Sequence, residues 1–301
     1  MHPRNKLLMT PVDQIPGMYQ RATAKYRLKS ITAVNLLGEV AAGKSEMVRK
    51  TKAVLRVASK ETARRFGSVS TTGLIKMHIE AGSPLGLRYK AADEKAAAGG
   101  KGNIQEQGLL QSDDLMILAL MLEIINELRL GRTCILFDSL RSGPQAKWLS
   151  ETGMTVKTIR FTISLDESRL RILVRQMTGN PRPDDARVET RWHNHHREIG
   201  DVMREVESRN EPFVIIAATD PMPEKLKRMI RFSTNEKTLI ERFAEIIDDA
   251  TNFVRRSIEY LDRVSKRALE QIRRQAASIE SGQKSGKDSP GLGLGCLPAP
   301  V

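Results

Sequence analysis

Short apolar runs alternate along the chain with longer stretches that have the periodicity of amphipathic helices. The runs lie at 32–38, 134–138, 156–164 and 212–218, and residues 66–70 are a candidate for a short additional strand. A helical pattern over 45–65 follows the first run, and similar patterns separate the later runs. Strands that alternate with helices in this way are typical of β-α units around a parallel sheet. The pattern therefore predicts an α/β fold with helices on both faces of the sheet.

Three segments lie outside this alternation. Residues 1–30 are basic and predict a solvated N-terminal extension. Residues 89–107 are rich in Ala, Gly, Lys and Gln, which predicts a mobile surface insertion. Residues 281–301 have the Gly, Ser, Lys and Pro composition of a disordered tail. We therefore expect the main domain at 31–232.

A long amphipathic helix is predicted over 233–280. Ser233 and Glu236 have the spacing of a capping box, which marks a helix start. Apolar residues then recur near heptad a and d positions, with a polar gap at Ser257: Ile240, Phe243, Ile247, Ala250, Val254, Leu261, Val264 and Ala268. Two interpretations stay open, a helix laid on the domain's own surface and a coiled coil that joins two copies in a homodimer.

The composition narrows the class of protein. The 301 residues include 49 Lys and Arg against 36 Asp and Glu, for a formal charge of +13, and 40% are hydrophobic. Such a chain can bury a core, which excludes a disordered chain and a disulfide miniprotein. Two cysteines without metal-ligand spacing suit a reducing compartment, so we expect a cytoplasmic protein. We expect no transmembrane segment, because no apolar stretch approaches the roughly 20 residues of a bilayer helix. We also expect no secretory signal, because no continuous apolar region follows the first charges of the N-terminus.

The positive charge leaves a nucleic acid or a small nucleotide as partner, and one motif favours the nucleotide. Residues 38–45 match the phosphate loop G-x-x-x-x-G-K-[ST] between an apolar run and a helix. Loop N–H groups and the helix N-terminus attract phosphate, and Lys44 adds a mobile charge. The residues expected to contact ATP are Gly38, Glu39, Val40, Ala41, Ala42, Gly43, Lys44, Ser45 and Glu46.

Magnesium is the cofactor that this loop implies. Ser45 can ligate Mg²⁺, and Asp138 ends the next clear strand, from which its carboxylate can hold the ion directly or through water. Glu39 is unusual in a phosphate loop, because a carboxylate repels phosphate unless it points away.

Five further motifs follow the loop in order. They lie at 70–73 (Ser-Thr-Thr-Gly), 81–86 (Ala-Gly-Ser-Pro-Leu-Gly), 108–115 (Gly-Leu-Leu-Gln-Ser-Asp-Asp-Leu), 138–146 (Asp-Ser-Leu-Arg-Ser-Gly-Pro-Gln-Ala) and 182–195 (Arg-Pro-Asp-Asp, then Arg-Trp-x-x-His). Together with the loop, this series resembles the adenylate kinase family of nucleoside monophosphate kinases over about 32–231. The resemblance implies a phosphate-loop NTPase fold of three α/β/α layers. It also implies a helical monophosphate-binding insertion over about 71–112 and a short lid over about 175–185.

The resemblance also implies a reaction and its residues. The γ-phosphoryl group of ATP would pass to AMP, giving two ADP, with Mg²⁺ as cofactor. The residues that would hold the monophosphate are Thr72, Gly73, Gln111, Arg141 and Gln145, of which Thr72 favours adenine. Phosphoryl transfer depends on positioning and positive charge rather than on a side-chain nucleophile. The catalytic residues would be Lys44, Arg141, Arg175, Arg182 and Arg191.

The chain departs from the family pattern at several positions. Met77 stands where the family has an arginine, Leu74 where it has an aspartate, and the glycine and proline before Arg141 are missing. With Glu39, these departures leave two alternatives open. One is a kinase for another monophosphate such as UMP or CMP. The other is a nucleotide-binding regulatory or scaffold protein that has lost catalysis.

A separate metal site is a further hypothesis. The candidate ligands are His193, His195 and His196 with Asp184 and Asp185. On a helix these histidines do not share the i, i+4 face that metal-binding pairs use, so we disfavour a metal there. Trp192, next to them, is predicted to be a core residue rather than a base-stacking platform.

Overall fold

The computed structural model describes residues 3–58, 60–98, 112–138, 140–179, 185–234 and 237–285. The strands are β1 (Thr32–Gly38), β2 (Phe66–Ser70), β3 (Cys134–Asp138), β4 (Thr155–Thr162) and β5 (Phe213–Ala217). The α-helices are α1 (Pro3–Leu8), α2 (Ile15–Thr23), α3 (Lys44–Ala58), α4 (Lys60–Arg65), α5 (Thr71–Glu80), α6 (Pro84–Ala96), α7 (Asp113–Arg129), α8 (Gly143–Glu151), α9 (Leu165–Met177), α10 (Val188–Ser208), α11 (Met222–Ser233) and α12 (Lys237–Ser285).

The strands form one parallel sheet in the order β2-β3-β1-β4-β5. β1 lies at the centre and pairs with β3 on one side and β4 on the other, with Leu36 opposite Asp138. Its residues from Ala33 to Gly38 are buried, as a strand covered on both faces requires. All five predicted strands are confirmed.

The hydrophobic core lies on both faces of the sheet. Because successive side chains of a strand point to opposite faces, neighbouring residues of β1 and β3 enter different clusters. Ala33 and Ile135 join the cluster beneath α2, α5, α6 and α7, whereas Val34 and Leu136 join the cluster beneath α3 and α11. A smaller cluster packs Leu37 against α8 and α10. These layers confirm the three-layer α/β/α fold class and place α10 beside the end of β1.

Residues 3–30 are folded onto the domain, so the prediction of a solvated extension is wrong. Leu7 of α1 and Tyr19 of α2 are buried in the same cluster as α7, and Ile15 is fully buried. The apolar residues between the charges decide this outcome, because an amphipathic helix can bury one face while its charges stay at the surface.

Three local predictions also require correction. The helix over 45–65 is two helices, α3 and α4. Tyr89, expected to begin a mobile insertion, is a fully buried residue of α6, and residues 99–107 of that insertion lie outside the described residues. Ser233 does not cap a helix, because it is the buried last residue of α11, whose apolar face holds it in the core. α12 begins at Lys237, and Glu236 lies outside the described residues.

Contacts divide the chain into a unit of Met1–Ile247 and a unit of Asp248–Val301. Phe243 and Ile247, near the start of α12, are buried in the core of the first unit. In the second unit α12 extends to Ser285, and the predicted disordered tail beyond it, 286–301, lies outside the described residues. Among the described helices, none has the length and apolarity of a membrane span.

Candidate active site

The phosphate loop connects the central strand, β1, to the helix that follows it, α3. β1 ends at Gly38 and α3 begins at Lys44, so the loop N–H groups and the N-terminus of α3 lie together. Ala41 and Gly43 have left-handed backbones, with φ of 62° and 88°. Such residues turn the chain tightly around a small volume, which is the geometry of an anion cradle. Lys44 Nζ donates to the Gly38 carbonyl oxygen at 2.6 Å and so lies across the loop.

Ser45 and Asp138 meet in front of this loop. Ser45 Oγ donates to Asp138 Oδ2 at 2.8 Å, although 93 residues separate the two in the sequence. They meet because β1 and β3 are parallel neighbours, so both carboxyl ends reach the same edge of the sheet. A hydroxyl and a carboxylate are hard oxygen ligands, and Mg²⁺ takes one or two protein ligands when phosphates and water complete its shell. The two residues therefore fit the magnesium ion that the phosphate loop implies.

Three cations face this edge. Burial lowers the pKa of Lys44 to about 8, with Asp138 raising it and Arg141 and Arg191 lowering it. Burial also lowers the pKa of Arg141, with the charges of Glu198, Arg191 and Asp138 acting on it. The charges of Arg141 and Arg191 thus both act on Lys44, and that of Arg191 also acts on Arg141. The nearby carboxylates neutralise only part of this positive charge, and a phosphate group placed among the three cations would neutralise the rest.

One face of α10 approaches this cationic cluster. Arg191, His195 and Glu198 are spaced i, i+4, i+7 and therefore lie on the same side of the helix. His195 Nε2 lies 2.8 Å from Arg141 Nη1. Arg141 can only donate, so Nε2 accepts and the ring proton is on Nδ1, a buried donor that has no hydrogen-bond partner among the described residues. Burial and the three cations lower the pKa of His195 to about 2, so the ring is neutral.

The carboxylate of Glu39 points away from the phosphate cradle. It is 2% exposed and lies 3.7 Å from Arg160 of β4 and 3.2 Å from His196 of α10. His196 stacks on Trp192, with ring centroids 4.9 Å apart, and Trp192 donates to the Ile163 carbonyl at 3.2 Å. The acidic residue in the loop thus attaches the loop to β4 and α10. The charge of Arg160 offsets the repulsion that this carboxylate would otherwise exert on a phosphate.

The predicted acceptor residues lie in two places. Thr72 and Gly73 are exposed at the first turn of α5. Gln145 is buried instead, because its amide donates to Asp113 Oδ1 at 2.8 Å and its carbonyl accepts from the Arg141 N–H at 3.2 Å. Met77, at the position of the family's arginine, packs against the core. Gln111 lies outside the described residues.

The predicted lid arginines also differ in surroundings. Arg175, near the end of α9, forms a two-point ion pair with the buried carboxylate of Asp185. Arg191 lies near Lys44 and Arg141, as described above. Arg182 lies outside the described residues, together with residues 180–184 of the lid. Glu46, at the start of α3, pairs with Arg49 and Lys50 on its own helix.

Sequence analysis does not identify two residues of α9 that contact the loop. Arg171 donates to the carbonyl oxygens of Ala41, at 3.3 Å, and Ala218, at 2.9 Å, after β5. Ser168 Oγ donates to the Val40 carbonyl at 2.7 Å. The spacing of Arg171 one helical turn before Arg175 is a signal that could have identified it. These contacts attach the helix that leads into the lid to the phosphate loop.

The histidine metal hypothesis receives no support from the side-chain positions. Among the residues that the structure describes, no group of three or more His, Cys, Asp or Glu can hold a metal ion. His195 and His196 are occupied by Arg141 and Glu39 respectively. Asp185 pairs with Arg175, and Asp184 lies outside the described residues.

Comparison with known proteins gives only distant likenesses. No family model matches the chain, and no curated protein matches it. A gluconokinase from Sinorhizobium meliloti 1021 is similar at 12% identity over 74% of this chain and 97% of that chain, with a TM-score of 0.39. A structure of the PezAT chromosomal toxin-antitoxin system of Streptococcus pneumoniae is similar at 12% identity over 84% of this chain and 96% of that chain, with a TM-score of 0.34. At these TM-scores, the likenesses say nothing about the chemistry of the site.

Proposed function

We propose that the protein is a Mg²⁺-dependent phosphotransferase that moves the γ-phosphoryl group of ATP to a nucleoside monophosphate, with AMP as the acceptor. The observation that carries the proposal is the convergence of Ser45, Asp138 and Lys44 at the phosphate loop, with Arg141 and Arg191 beside them. A single carboxylate, one hydroxyl and three cations match the needs of phosphoryl transfer, which uses charge and position rather than a covalent intermediate.

Each residue has a role in this reaction. The loop amides and Lys44 bind the β- and γ-phosphates of the donor, and Ser45 and Asp138 orient the metal. Mg²⁺, when bound, neutralises the charge that develops on the phosphate oxygens. Arg141 and Arg191 bind the transferring group and the acceptor phosphate through planar guanidinium groups. The lid arginines Arg175 and Arg182 close over the phosphates and exclude water, which would otherwise hydrolyse ATP.

The identity of the acceptor depends on the surroundings of Gln145. Thr72 supports adenine by its resemblance to the family motif, but Gln145 already bonds to Asp113 and to the backbone of Arg141. A primary amide has two N–H donors and two carbonyl lone pairs, so these two contacts alone do not block a base. Gln145 is only 3% exposed, however, so a base can reach it only if the packing around it opens. This burial weakens the support for adenine and leaves UMP, CMP or another monophosphate as the second candidate for the acceptor.

Steady-state transfer from Mg-ATP to AMP, CMP, UMP, GMP and dAMP tests the proposal. We expect transfer to one monophosphate, with AMP first, and loss of that transfer in Lys44→Ala. The matched control is Lys147→Ala, because Lys147 is an exposed lysine on α8. Transfer that requires Lys44 but prefers CMP or UMP would replace AMP as the acceptor. ATP binding by a folded protein without transfer to any acceptor would favour the regulatory alternative.

We also propose that the protein acts as a homodimer joined through its C-terminal helix. This helix presents a row of apolar residues beyond Ile247, where the core of the first unit ends.

A further inference from the structure

The second unit exposes a broad apolar face on α12. Its large hydrophobic side chains are 43–71% exposed, in contrast to the buried Phe243 and Ile247 of the first unit. They are Phe253, Val254, Ile258, Tyr260, Leu261, Val264, Leu269 and Ile272. On a helix these positions fall within one half of the circumference, and the charged residues occupy the other half. Exposed apolar surface of this extent marks an interaction site.

Five aliphatic residues on this side of the helix define a coiled-coil seam. Val254, Ile258, Leu261 and Ile272, together with Ala268, are spaced by 4, 3, 7 and 4 residues, in keeping with a heptad repeat. The repeat is completed by two small polar residues, at 251 and 265. This seam shares Val254, Leu261 and Ala268 with the one predicted from the sequence. It takes Ile258 in place of Ser257 and adds Ile272, whereas Thr251 and Ser265 stand where the predicted seam has Ala250 and Val264.

We infer that two copies of this helix pair antiparallel, with Ile258 and Leu261 at the centre of the contact; the inference rests on the proposed homodimer. The charges beside the seam select the direction. Arg255 and Asp262 each follow a seam residue, Val254 or Leu261, and therefore occupy the same flanking column. In an antiparallel pair this column lies next to the same column of the second copy, which runs in the opposite direction. Arg255 of each chain therefore lies beside Asp262 of the other.

A parallel pair lacks this complementarity. There, the column of Arg255 and Asp262 faces the opposite flanking column, which holds the uncharged residues Ser257, Val264 and Gln271. A parallel pair would also align the basic ends of both helices, whereas the antiparallel pair separates them. Arg255 and Asp262 are exposed. Among the contacts of the described residues, Arg255 donates to Asn252 and Asp262 pairs with Lys266, both at the surface of the same helix, so either pair can exchange for one with the second copy.

The described part of the face is long enough for a stable contact. Residues 248–274 span about 40 Å of helix at 1.5 Å per residue, or nearly four heptads. A heptad pattern sustained over three to four heptads is typical of a coiled coil, and this segment has that length. The two polar seam positions lower the affinity but restrict the register.

Sedimentation of the full chain and of two charge-reversal variants tests the inference. Arg255→Glu places two acidic residues opposite each other across the antiparallel contact, and Asp262→Arg places two basic ones there. We expect each variant alone to dimerise about tenfold more weakly than the wild type. A mixture of the two variants should recover the wild-type affinity. In the mixed pair the introduced glutamate of one chain faces the introduced arginine of the other, and the unchanged Arg255 faces the unchanged Asp262. Arg256→Glu is the matched control, because Arg256 lies on the face opposite the seam.

The outcomes separate the inference from the proposed homodimer. A wild-type chain that stays monomeric at all concentrations would refute the homodimer and the pairing together. A wild-type dimer that neither variant weakens, or that the mixture fails to restore, would refute the antiparallel arrangement and leave the homodimer standing. Recovery in the mixture supports the antiparallel contact specifically, since a parallel pair does not bring residues 255 and 262 together.

Discussion

Replacing His195 by leucine removes the acceptor that holds Arg141 in place. Arg141 Nη1 donates to the neutral His195 ring at 2.8 Å, and burial isolates this contact from water. A hydrogen bond to a charged group contributes about 1.5–3 kcal/mol, and losing it leaves a buried guanidinium proton unpaired. If Arg141 binds the transferring phosphates, this loss corresponds to a decrease in kcat/KM of roughly 10- to 150-fold.

The assay compares kcat/KM, and the affinity for Mg-ATP, among three variants. His195→Gln is the conservative variant, because its side-chain carbonyl can accept from Arg141, and it should retain most of the activity. His193→Leu is the matched control, since His193 is exposed on the same helix. Thermal unfolding of each variant separates misfolding from a misplaced Arg141.

The result that would refute this reasoning is a folded His195→Leu protein as active as the wild type. Equal losses in the leucine and glutamine variants would also contradict it, because only leucine removes the acceptor. Because the pKa of His195 is about 2, its ring is neutral at both pH 5 and pH 7. We therefore expect that the pH profile of kcat/KM shows no step from the titration of His195 in this range.

Three further predictions concern the loop, the helix packing and the core. Burial lowers the pKa of Lys44 to about 8, and bound phosphate favours the charged form of this lysine. ATP binding at pH 8.5 should therefore take up protons, and the affinity for ATP should fall as the pH rises further. Calorimetry in buffers of different ionisation enthalpy measures the proton uptake, and equal binding enthalpies in all buffers would contradict this prediction. Gly86→Ala should lower the free energy of unfolding, measured in urea, by about 1–3 kcal/mol, because the new Cβ would lie 2.0 Å from the His78 carbonyl oxygen. In Gly143→Ala the new Cβ meets nothing within 4 Å, so the free energy of unfolding should change by less than about 0.5 kcal/mol. Burial raises the pKa of Cys134 to about 12, so its thiol should be unreactive at pH 8 in the native protein. In a Cys296→Ser background, a thiol reagent at pH 8 should therefore react only after unfolding. Fast reaction of the native protein would contradict the burial of Cys134.

The strands, the helices and the phosphate loop can be predicted from the sequence alone. The strands are recoverable because their apolar runs are short, and the helices because their period is 3.6 residues; both signals are local. The phosphate loop is recoverable because its motif lies within eight consecutive residues, 38–45. The sequence also places Ser45 and Asp138 near the ends of strands, but the structure is needed to show that these strands are parallel neighbours and that the two side chains meet.

The partner of each site residue depends on the tertiary structure. Glu39 turns to Arg160 and His196, and Gln145 turns to Asp113, through contacts between elements that lie far apart in the chain. The same is true of residues 3–30, whose charges predict a solvated arm although their apolar face is buried against α7. Local patterns report what a segment can bury or donate. They do not report which distant atom is within 3 Å, because that depends on packing the whole chain at once.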